Sequence, residues 1–101
     1  MHSRLTLHEE LVGVLGSRNV YFQPPENLKM NYPCIVYGRH GIDDTFADND
    51  IYLQPYQYRI TVIDDDPDSE IVAKMAKFRN AKFIRHFVSE KLNHDIFDIY
   101  Y

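Results

Sequence analysis

The chain predicts an α+β domain: two helices packed on a mostly antiparallel sheet of four to five strands, in the order α-β-β-β-α-β-β. Three observations carry this expectation. Two segments, 6–16 and 67–78, repeat apolar residues at helical spacing; several short β-branched or aromatic runs alternate at period two; and turn signals separate them all. At 101 residues with 45% hydrophobic and 26% charged residues, the length and composition fit one globular domain over 1–101, with no linker and no internal repeat.

Thr6 and Glu9 have capping-box spacing at the start of the first helix. Leu7, Leu11, Val14 and Leu15 share a face, and Gly16 is a natural stop. A short strand is expected at Val20–Phe22, broken by Pro24-Pro25. "CIVYG" (Cys34–Gly38) follows, apolar on both faces as in a covered sheet. Residues 39–54, "RHGIDDTFADNDIYLQ", are polar and turn-rich and predict a long acidic hairpin loop. "PYQYRITVI" is the clearest strand, with Tyr56, Tyr58, Ile60 and Val62 on one side and Gln57, Arg59 and Thr61 on the other.

The run "VIDDDPDSEIV" (Val62–Val72) concentrates five acidic groups, and it decides whether the chain reads as metal-binding. Its offsets do not fit a calcium loop, and it contains no glycine to let the chain wrap an ion. Helix-start rules explain it better: Asp66 as the cap, Pro67 in the first helical position, and Asp68 and Glu70 where the helix end favours negative charge. The second helix then presents Ile71, Met75 and Phe78. "AKFIRHFVSEK" and "HDIFDIYY" form a closing hairpin turning at Leu92-Asn93. With Ser89 opposite Asp95, His86 faces Asp98. Phe83, Phe87, Phe97, Ile99 and Tyr101 share one face of that hairpin, and Ile84, Val88, Ile96 and Tyr100 share the other. Two helices readily cover one sheet face, so a surplus apolar face becomes a candidate protein surface; helices split between the faces would remove it.

The chemistry-bearing residues form no catalytic constellation. His2, His8, His40, His86 and His94 show no zinc spacing, no phosphate-binding glycine loop exists, and Cys34 reads as a buried, inert thiol. His86 and Asp98 are expected to form a cross-strand polar pair rather than an acid–base couple. The net charge of −4, with no long basic run, disfavours tight nucleic-acid binding. Eight Tyr and six Phe without Trp make the chain aromatic-rich, a composition favoured at interfaces. A single cysteine, no signal-peptide core in "MHSRLTLHEE" and no long apolar run lead to the expectation of a soluble protein made in the cytoplasm, with no membrane contact and no cofactor.

"YPCIVYGR" (Tyr32–Arg39), "YQYRITVIDDDPDSEI" (Tyr56–Ile71) and "LNHDIFDIYY" (Leu92–Tyr101) resemble the tail terminators, or tail-to-head joining proteins, of long-tailed bacteriophages of Gram-positive hosts. The resemblance runs over residues 4–101 and rests most on the Asp-Pro-Asp-Ser corner and the Asn-His-Asp stretch. One departure is "KFRNAKF" (Lys77–Phe83), where a leucine–proline pair tends to end the second helix in that family. The resemblance implies a virion protein of the neck: a ring, commonly a hexamer, that caps the tail tube protein, docks to the head connector, and passes DNA through its lumen without specific binding. Candidate interface residues are Phe87, Phe97, Tyr100 and Tyr101 of the final hairpin, and Arg39 and His40. Asp43, Asp44, Asp48 and Asp50 are candidates for a lumen or tube-facing position, since negative groups would not hold phosphate. Other readings are a head-completion protein of the same neck, a small acidic binding or inhibitor module, and, last, an enzyme.

Overall fold

The computed structural model describes residues 4–42, 56–78 and 81–101. Its elements are α1 (Arg4–Leu15), β1 (Val20–Phe22), β2 (Cys34–Ile42), β3 (Tyr56–Asp64), α2 (Glu70–Ala76), β4 (Lys82–Ser89) and β5 (Leu92–Tyr100). The order is the expected one. The five strands form a mixed sheet, β1-β2-β3-β5-β4, in which β1 runs parallel to β2 and every other neighbour is antiparallel.

Alternation fixes the two faces. Val20, Ile35, Tyr37, Tyr58, Ile60, Val62, Phe97 and Ile99 point to one side, where they meet Leu7, Leu11 and Leu15 of α1 and Met75 of α2 in a single core. Both helices therefore lie on the same face, and the split arrangement is excluded. The leucines of α1 recur every four residues, which stacks them on one stripe. The helix ends at Gly16, whose φ of 84° suits a residue without Cβ and whose N–H reaches the Val12 carbonyl at 2.8 Å. Thr6 lies inside α1, because the helix already includes Arg4; the capping-box expectation misplaced its start.

Four further boundaries moved. β2 continues through Arg39, His40, Gly41 and Ile42, in place of the expected start of a loop; a shift in pairing at His40 absorbs one extra residue against β3. α2 is shorter than expected and is capped by Ser69, whose hydroxyl accepts the Ile71 N–H at 3.2 Å. Asp66 and Pro67 stand ahead of that cap in a turn. Asp66 accepts the Asp68 N–H at 2.9 Å and gives its own N–H to the Asp64 carboxylate at 3.0 Å, so Asp side chains bind local backbone before the helix begins. The last hairpin turns at Glu90-Lys91, whose φ values of 53° and 66° make a two-residue connection.

That turn resets the register. Ser89 lies opposite Leu92 and His86 opposite Asp95, three positions from the expected pairing. An odd shift exchanges faces. Phe87 consequently sits on the face away from Phe97, stacked on His94, while the irregularity between Phe83 and Arg85 returns Phe83 to the side of Phe97.

Candidate interaction surface

The surface left by this packing begins with β4. Strand order makes it a sheet edge whose only strand partner among the described residues is β5. The helices make their main contacts with the sheet at β1, β2 and β5. Phe83 is 51% exposed, Ile84 37% and Val88 61%, so one eight-residue edge strand shows three large apolar side chains to solvent. Its polar residues are Lys82, Arg85, His86 and Ser89; the His86 Nδ1 lies 2.9 Å from Asp95.

The second feature is the sheet face away from the helices. At its centre Arg59 of β3 donates to both oxygens of Asp98 on β5, at 2.8 and 3.0 Å, and Gln57 adds a third donor at 3.2 Å. The hydrogen bonds from Arg59 hold the Asp98 carboxyl below its ordinary range against the opposing effect of burial, while Asp98 raises Arg59. Further along β5 on the same face the Phe87 and His94 rings stack at 4.6 Å, and Arg85 lies 4.8 Å from the Phe87 ring centre. Tyr100 remains 38% exposed on the same side.

The expected site residues therefore separate. Phe97 is 1% exposed in the core, so it supplies no contact surface. Tyr101 is half-buried: its backbone pairs with Tyr56, its ring packs against the core, and its hydroxyl donates to Glu10 of α1. It closes the domain and does not project from it. Phe87, Tyr100, Arg39 and His40 retain accessible surface, with Arg39 over the Tyr56 ring at 5.3 Å. Asp43, Asp44, Asp48 and Asp50 lie outside the described residues. The expected His86–Asp98 pair does not form, because the hairpin register gives His86 to Asp95 and the β3–β5 register gives Asp98 to Arg59.

Sequence reasoning missed the Arg59–Asp98 pair. Arg59 is the one basic residue of β3, which is a usable signal, but matching it to Asp98 rather than Asp95 requires the β3–β5 register. Tyrosine also divided: Tyr37 and Tyr58 entered the core, whereas Tyr32, Tyr56 and Tyr100 stayed at the surface.

Cys34 is fully buried, and burial, reinforced by the Asp64 carboxylate, pushes its thiol up to about 11. At neutral pH it stays protonated. Among the described residues no three His, Cys, Asp or Glu side chains gather as metal ligands, and no helix is long and apolar enough to cross a membrane. No protein-family model matches the chain, and no curated protein matches it.

Proposed function

We propose that this chain is a structural, non-enzymatic subunit of the neck of a long-tailed bacteriophage, forming a ring, commonly a hexamer in the family it resembles, that caps the tail tube and docks it to the head connector. The observation that carries this reading is the β4 edge, unpaired on its outer side among the described residues, with Phe83, Ile84 and Val88 exposed. An uncovered apolar edge strand is a liability in a lone domain and an asset in one that assembles. A closed ring needs two different, complementary patches on each subunit, and the β4 edge is a candidate for one of them. Its neighbours in the virion would be further copies of itself, the tail tube protein and the connector, with DNA passing the lumen without specific recognition. The Arg59–Asp98 pair and the inert Cys34 serve the fold in this reading and react with nothing.

The test is the length of tails made by the phage when this reading frame is interrupted. Overlong tails are expected. Tails of normal length beside separate full heads would replace tail capping with a head-completion role, and unaltered virions would remove the neck assignment.

A further inference from the structure

Charge is segregated along this chain. Between Lys74 and Lys91 stand Lys74, Lys77, Arg79, Lys82, Arg85 and Lys91 against the single acid Glu90. Between Asp64 and Glu70 stand five acids and no base. The fold keeps these groups apart by function as well as sequence. Asp64 is buried and accepts the Asp66 N–H, whereas Asp65, Asp66, Asp68 and Glu70 are exposed around the turn that leaves β3. On the β4 edge, Lys82 and Arg85 stand opposite Asp98 and Ile96 on the face away from the helices, and Phe83 and Val88 stand opposite Phe97 and Asn93 on the other face; all four and Ile84 are exposed, so a partner at the edge meets both sets. Among the described residues no ion pair involves Asp65, Asp66, Asp68, Glu70, Lys82 or Arg85.

We infer that the occupant of the β4 edge is a second copy of this chain, which presents its Asp65–Glu70 corner. In that arrangement Lys82 and Arg85 of one copy face Asp65 and Asp68 of the next. Phe83, Ile84 and Val88 are covered by the partner's corner, whose exposed Pro67 adds apolar surface between the acids, with exposed Ala73 next to it on α2. The contact is head-to-tail because its two halves are different surfaces, and each copy leaves one of each free. Two copies joined β4 to β4 would instead collect Lys82 and Arg85 from both chains along one seam, where like charges oppose association. This inference rests on the ring reading for its propagation from copy to copy; the charge complementarity is a property of the chain alone. The corner's local role is compatible with it: the turn uses the carboxylates of the buried Asp64 and of Asp66, and the cap uses the Ser69 hydroxyl, leaving the carboxylates of Asp65, Asp68 and Glu70 for a partner.

The test is a charge exchange followed by light scattering of the purified chain. One variant carries Lys82→Glu and Arg85→Glu; the other carries Asp65→Lys and Asp68→Lys. All four positions are exposed, and circular dichroism checks that both variants fold. The wild type is expected to grow beyond a monomer as concentration rises at low salt, and to need more protein for the same association at about 0.5 M NaCl, where exposed charges are screened. Each variant alone is expected to need at least about tenfold more protein to associate, because like charges then meet across the contact. An equimolar mixture is expected to recover association, since both the native and the reversed pairings are complementary. Wild type that stays monomeric throughout overturns the inference. So does an acid-corner variant that associates like wild type, which is the behaviour of a β4-to-β4 contact, or a mixture of folded variants that fails to recover. The neck assignment fails separately: recovered association in solution, with unaltered virions when the reading frame is interrupted, would remove it and leave this contact standing.

Discussion

Replacing Glu90 by Asn and Lys91 by Gly tests the turn on which the closing hairpin's register depends. Both residues sit at positive φ, 53° and 66°. For ordinary side chains that region costs roughly 1–2 kcal/mol per residue, because Cβ crowds the following carbonyl. Asn tolerates it better and Gly without penalty. Relief of about 1 kcal/mol at each position is offset by the extra freedom that Gly adds to the unfolded chain, about 0.5–1 kcal/mol. A net stabilisation of about 1 kcal/mol remains. In a domain of this size that raises Tm by about 4–8 °C. The assay is thermal unfolding followed by circular dichroism, with urea titration as a second measure. Had the loop been at Leu92-Asn93, positions 90 and 91 would lie within a strand, where Gly weakens the ladder and Asn is disfavoured. Tm would then fall. A lower or unchanged Tm refutes the turn, and with it the placement of Phe87 opposite His94.

Asp98 titrates below its ordinary value of 3.8, so its contribution to stability is complete above that value and disappears as pH falls through the lowered folded value. The variant Asp98→Asn should lose stability at pH 7 and flatten the acid limb of a stability–pH curve; an acid limb identical to wild type would sink the assignment. Phe97→Ala should cost about 3–5 kcal/mol, while Val88→Ala should change monomer stability by no more than about 0.5 kcal/mol, as measured by urea unfolding. Equal losses would mean that β4 is covered in the monomer. Cys34 should resist a thiol reagent in the native protein and react once denaturant is added; rapid native reaction would contradict its burial.

The elements were legible because their signals are local. The helices and β3 announced themselves by periodicity, β1 and β2 by short apolar runs bounded by turn residues, and the face of β3 followed from alternation alone. What failed was register and boundary. Leu92-Asn93 offers a familiar turn residue, yet Glu90-Lys91 made the turn with both residues at positive φ, so a side-chain preference misled. Ser69 displaced Asp66 as the cap because the Asp residues were already engaged with turn backbone. The exposed edge was invisible for another reason. That β4 is outermost depends on β5 inserting between it and β3, and no residue in β4 encodes that order.

The same insertion has a kinetic consequence. β3 pairs with β5 from Asp64↔Asn93 out to Gln57↔Tyr100, so a strand near the middle of the sheet is the last of the five in chain order. Until β5 arrives, β3 has an unsatisfied ladder on one side, and Tyr58 and Ile60 lack their cross-strand neighbours Ile99 and Phe97. Collapse must wait for a distant loop to close, which places the molecule among slow, topologically limited folders. A fragment stopping before Leu92 would keep both helices and a naked inner strand, and such a fragment should precipitate rather than persist as a smaller version of the domain.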